Sequence, residues 1–108
     1  MTDCELLELA AKAAGVELFY RCTGEIAFSE RKGLAVADSS GWWNPLTDDG
    51  DALRLAVKIG LAVVPYPADI AALHNASGRS WAELRGDDTY AATRRAIVRA
   101  AAEIGSKT

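Results

Sequence analysis

The residues able to do chemistry are few in this 108-residue chain. His74 is its single histidine, and no serine or cysteine stands in a nucleophile motif such as G-x-S-x-G. General-base activation of a nucleophile therefore has no visible apparatus. A lone histidine reads as a surface or packing residue. Asp48, Asp49 and Asp51 are the densest carboxylate group, and a metal or two-carboxylate site would draw on them. The same positions are where a helix start favours negative charge for electrostatic reasons alone. A calcium loop of the EF-hand kind needs further oxygen ligands and a closing Glu, which residues 53–60 do not supply. The phosphate-cradling patterns GxGxxG and GxxxxGK[ST] do not occur. No catalytic residue, metal site or cofactor is expected, and the chain reads as a non-enzyme.

Binding has more to draw on. Trp42 and Trp43 are adjacent, and neighbouring side chains do not easily both enter a core. Trp43 is expected to anchor the core beside Pro45 and Leu46, which leaves Trp42 partly exposed. An exposed ring beside cations holds a nucleotide by stacking on its base while Arg or Lys contacts its phosphates. Tyr90 is a second stacking candidate. The cations within reach of this reading are Arg54 and Lys58 in one amphipathic run, and Arg94, Arg95 and Arg99 in another. For each of them the competing reading is a solvated helical surface neutralised by nearby acids.

Composition sets the frame for these residues. Half the chain is apolar and a quarter is charged, as in a globular domain, and this length closes one core without staples. A net charge of -3 argues against duplex nucleic acid, which calls for a dominant basic face. Cys4 and Cys22 show no CxxC or metal spacing and read as two reduced thiols of a cytosolic protein. The acidic start Met1-Thr2-Asp3-Cys4-Glu5 lacks the basic region of a signal peptide, and no apolar run approaches the ~20 residues of a membrane span. A cytoplasmic protein with no membrane partner is expected.

Three helices are predicted. Thr2 and Glu5 have capping-box spacing, and Leu6, Leu7, Ala10, Ala11 and Ala14 recur at helical period before Gly15, giving a helix over 3–14. Pro45 keeps Asn44 out of helical geometry, Asp48 caps, and a second helix covers 49–59 with Leu53, Ala56, Val57 and Gly60 along one side. Asp88 caps a third helix over 89–104 whose buried stripe is Tyr90, Thr93, Ile97, Ala100, Ala101 and Ile104, with Gly105 as its stop. Between them, residues 16–37 read as a meander of two or three strands, and Leu61 opens another strand ended by Pro65 or Pro67. Residues 68–74 and 79–84 flank the turn Asn75-Ala76-Ser77-Gly78 and suggest a hairpin, with a short helix at 70–74 capped by Asp69 as the rival. The predicted fold is α+β, an antiparallel sheet of about four to six short strands with helices against one face, in a single domain over 1–108.

The run from Trp43-Asn44-Pro45-Leu46-Thr47-Asp48-Asp49-Gly50-Asp51 through Ala52-Leu53-Arg54-Leu55-Ala56-Val57-Lys58 is the most specific wording in the chain. With the opening run from Glu5 to Gly15 and the closing run from Tyr90 to Gly105, it resembles a family of small uncharacterised proteins of tailed phages and prophages. More distantly, the layout is similar to the NinX-like phage proteins of unknown function. The resemblance implies a phage accessory protein of the host bacterial cytoplasm, a candidate for countering host defence. Joined to the aromatic and cationic residues, it gives an expectation of a sponge for a nucleotide-derived immune signal, of cyclic nucleotide or ADP-ribose type. Trp42, Trp43 and Tyr90 would supply rings, and Arg54, Arg94, Arg95 and Arg99 the phosphate contacts. Sites of this kind are often completed between subunits, so a homo-oligomer packed through the Ala-rich face of the third helix is expected. The alternative is an inhibitor or adaptor that docks on a host or phage protein through Trp42 and the neighbouring strands.

Overall fold

The computed structural model describes residues 3–15, 28–29, 33–35 and 42–107. The elements run α1 (Asp3–Ala14), β1 (Phe28–Ser29), β2 (Gly33–Ala35), β3 (Trp42–Trp43), α2 (Asp49–Ile59), β4 (Leu61–Pro65), β5 (Asp69–His74), β6 (Ser80–Leu84) and α3 (Thr89–Ser106). The fold is α+β. Its sheets are smaller than the four to six strands expected of a single sheet. A three-stranded antiparallel sheet is built from β4, β5 and β6, and the two- and three-residue segments β1, β2 and β3 pair separately. The strands expected over 16–22 lie outside the described residues, as do the Thr2 side of the first capping box, Cys22 and the side chain of Cys4.

Helix α3 is the centre of the molecule because small residues surround most of its circumference. Ala96, Val98, Ala100, Ala101 and Ala102 are all buried. One flank meets α1, where Leu6, Leu7, Ala10, Ala11 and Ala14 form the predicted apolar stripe and join Ile97, Val98, Ala101 and Ala102 in the main core. Gly105 lies in the last turn of α3 against the α1 backbone, so close that a Cβ would collide with the Leu9 carbonyl. Its role is therefore close helix approach, and the helix continues past it to Ser106. The other flank of α3 lies on the β4–β5–β6 sheet, where Ala92, Ala96 and Ala100 cover Ile70 and Ala72, with Leu61, Val63 and Trp81 around them.

Register decides which side chains that sheet turns inward. Val63, Ala72 and Trp81 are cross-strand partners, as are Val64, Ala71 and Ala82. Alternation then assigns Leu61, Val63, Ile70, Ala72, His74, Trp81 and Glu83 to the α3 side. Ala62, Val64, Ala71, Leu73, Ala82 and Leu84 take the opposite side. The 68–74 segment is the strand of the hairpin, and the rival short helix does not form. Buried Ile70 and Ala72 explain the outcome: they stand two apart, a spacing that serves a strand's inner face.

Two helical faces differ from expectation. Ala52, Leu55 and Ala56 are the buried residues of α2, while Leu53 and Val57 are exposed. The predicted side of α2 was rotated, because the real face is set by where α3 and α1 stand. Tyr90, assigned to the buried stripe of α3, is 73% exposed. It sits in the first turn, beyond the reach of the core. The Ala-rich face of α3 is likewise not free for a second copy, since α1 and the sheet already bury it. No helix among the described residues is long and apolar enough to cross a membrane.

Candidate functional site

The stretch from Trp43 to Asp51, the most distinctive wording of the chain, forms an entry device for α2. Trp43 and Pro45 are buried, Leu46 packs beside them, and the buried polar residue Asn44 is fully engaged. Asn44 Oδ1 accepts from Leu46 N at 3.1 Å, and the Asn44 backbone carbonyl accepts from Thr47 N and Asp48 N. Asp48 is the N-cap, accepting from Asp51 N at 2.7 Å. Asp51 reaches back to accept from Asn44 N at 3.0 Å and takes the Arg54 guanidinium at 2.7 Å. Asp49 accepts from Arg94 Nη1 at 2.6 Å. Each of the three carboxylates thus has a structural partner, which accounts for their spacing through capping and charge pairing. Among the described residues, no group of three or more His, Cys, Asp or Glu is placed to hold a metal ion.

The expected phosphate-binding cations are all engaged and go in different directions. Arg54 pairs with Asp51 on its own helix, with Asp48 further off at 3.9 Å. Arg94 clamps α3 to the α2 entry, donating to the Leu46 carbonyl at 2.8 Å as well as to Asp49. Arg95 reaches Asp3 on α1 at 3.2 Å, and Arg99 reaches Glu83 on β6 at 2.7 Å. Residues advance ~100° around a helix, so Arg94 leaves α3 on a different side from Arg95 and Arg99. Trp43 belongs to the core, as expected, and is not offered to a ligand. The Trp42 side chain lies outside the described part of the structure. Tyr90 alone of the described ring candidates is open, one turn ahead of Arg94.

Two surfaces escaped sequence reasoning. The first is the outer face of the β4–β5–β6 sheet, apolar on all three strands. Leu84 is 81% exposed at one end of it, opposite Asp69, and Leu73 of the middle strand is exposed at the other end, opposite Ser80. Period-2 alternation carries a signal for it, because Ala62, Val64, Leu73, Ala82 and Leu84 are apolar at positions that an ordinary half-buried sheet would make polar.

The second surface is the tip of the β5–β6 hairpin. The Arg79 guanidinium lies 5.3 Å from the centroid of the Trp81 ring. His74 Nδ1 is 2.7 Å from Ser77 Oγ, which also accepts from Arg79 N at 3.3 Å. Gly78, at φ +72°, turns the chain between them, and His74 N donates to the Arg79 carbonyl at 2.8 Å. Residues two apart in a strand share a face, so Arg-x-Trp was a legible signal once this segment was read as a strand.

No family model, curated protein or solved structure matches the chain. The geometry thus defines an α+β domain in which many of the described acidic and basic residues brace the fold, with an apolar outer sheet face and a polar hairpin tip left open.

Proposed function

We propose that this protein is a non-catalytic accessory binder that docks on another protein through the outer face of the β4–β5–β6 sheet. The observation that carries this reading is that Ala62, Val64, Ala71, Leu73, Ala82 and Leu84 share one face, edged by Asp69 and Ser80. Exposed apolar residues gathered on one face, rather than scattered singly, suit the centre of an interface whose remaining area comes from a polar rim. At ~3.3 Å per residue and ~4.8 Å per strand, the face spans about 240 Å² in plan. A stable dimer buries ~800 Å² per subunit, so a second copy seated here alone would not hold. The patch suits the apolar centre of a larger heterologous interface, with Leu84 and Leu73 as anchors and a polar rim around them. The resemblance to small phage proteins points to host or phage proteins of the bacterial cytoplasm as the pool of partners. Leu84→Glu and Leu73→Glu keep the inner face intact and are expected to melt like the parent. From infected-cell lysate, the parent is expected to retain one stoichiometric protein that both variants lose. Equal retention by parent and variants rejects this surface.

A second reading keeps the nucleotide-derived immune signal as ligand. It is favoured by the exposure of Tyr90 one turn before Arg94, with Arg54 exposed at the same helix entry. There a base would stack on Tyr90, and the phosphates would displace Asp49 and Asp51 from the two guanidinium groups. Calorimetry with cyclic dinucleotides and cyclic ADP-ribose isomers tests it. Heat abolished by Tyr90→Ala supports a counter-defence sponge, and no heat with any of them removes the idea.

A further inference from the structure

We infer that the tip of the β5–β6 hairpin is a recognition site for a phosphoryl oxyanion, built from Arg79, His74 and Ser77 on a Trp81 platform. The inference is independent of sheet docking, because His74, Arg79 and Trp81 belong to the α3 side of the sheet and the docking patch to the opposite side.

Arg79 stands apart from the other described arginines. Among the described arginines, Arg54, Arg94, Arg95 and Arg99 each donate to a carboxylate, and Arg85 donates to the Tyr66 carbonyl. Arg79 is exposed, and among the described residues its guanidinium lies over the Trp81 ring and pairs with no carboxylate. Stacking on an aromatic ring uses the flat side of a guanidinium and leaves its five N–H donors pointing outward in the plane. Trp81 is itself held against the core under α3, so the platform is fixed. Rotamer freedom that a surface arginine loses on binding an anion is here restricted beforehand.

The neighbouring groups add donors. His74 N donates to the Arg79 carbonyl, placing the two residues directly opposite one another, and alternation puts both side chains on one face. Ser77 Oγ accepts from Arg79 N and lies 2.7 Å from His74 Nδ1, a contact that either imidazole tautomer can make. In the tautomer that takes the Ser77 hydroxyl proton at Nδ1, Nε2 carries the ring hydrogen and can donate to an anion. A fork of parallel N–H groups satisfies two oxygens of an anion, and the imidazole supplies a donor for another. A carboxylate has no further oxygen to offer, whereas a phosphoryl group does.

The test is a nuclear magnetic resonance titration of the full chain with inorganic phosphate, at fixed pH and with ionic strength balanced by chloride. His74 is the sole histidine, so its ring signals report the site without ambiguity. Saturable shifts of the His74 ring and the Arg79 Nε–H are expected. Arg79→Gln should weaken the affinity by about tenfold or more, as loss of a bidentate charge-assisted contact does. Arg99→Gln, which removes an arginine already paired with Glu83, should leave it unchanged, and acetate should bind more weakly than phosphate. Shifts that stay linear, or an equal response in Arg79→Gln, overturn the site. Acetate binding as tightly as phosphate overturns its assignment to a phosphoryl group.

Discussion

The two faces of the β4–β5–β6 sheet have similar side chains and opposite fates. On the inner face, Ile70 and Ala72 are fully buried beneath the alanines of α3. On the outer face, Leu84 and Leu73 stand in solvent. Hydrophobicity alone does not separate them. What separates them is that α3 follows β6 after a short link and, being rich in alanine, lies close on the side where Ile70 points. The difference teaches where to look for stability and where for function. Apolar area removed from water stabilises by ~25 cal/mol per Å². The outer face gains less of it within the described chain, since Leu84 and Leu73 stay exposed.

Substitutions sharpen this contrast. Ile70→Ala empties a fully enclosed site and is expected to cost about 4 kcal/mol, measured by urea denaturation. If it cost no more than an outer-face change, the inner and outer assignment of the strands would be wrong. Gly105→Ala tests the helical side, where the added methyl must push α1 away from α3. A loss of about 3 kcal/mol is expected, read as a lower melting temperature, and unchanged melting would deny the close approach. Asp48→Ala removes the cap of α2 and should cost about 1 kcal/mol, with Asp48→Asn recovering most of it. Leu84→Ala closes the series with less than about 0.5 kcal/mol, because its side chain is already in water.

Much of the helical part was legible. Leu6, Leu7, Ala10, Ala11 and Ala14 lie at helical spacing and are buried, and Asp48 and Asp88 cap as their types suggest. Those are local properties, settled by backbone donors and a side chain three residues away. The candidate site was less legible. Aromatic and basic residues were gathered on composition into one nucleotide site, but a sequence does not display which carboxylate each arginine will meet. Arg94 reaches Asp49 across 45 positions and Arg95 reaches Asp3 across 92. Arg79 was passed over for the complementary reason. Its significance is that, among the described residues, its guanidinium has neither a carboxylate nor a carbonyl partner, and this emerges only when the other described arginines have found theirs.

The sequence by itself determined the three helices and the Asp48 and Asp88 caps, because capping residues and periodic apolar positions act over a few neighbours, while it left 68–74 open between strand and short helix. Tertiary structure alone decided which face of the sheet is covered and which partner each described arginine meets. Both depend on where α3 comes to rest, and that position is fixed by the close contact of Gly105 with Leu9 and the fit of small side chains over Ile70. Burial and charge pairing are sums over distant parts of the chain, so they exist only once the helices and the sheet have packed together.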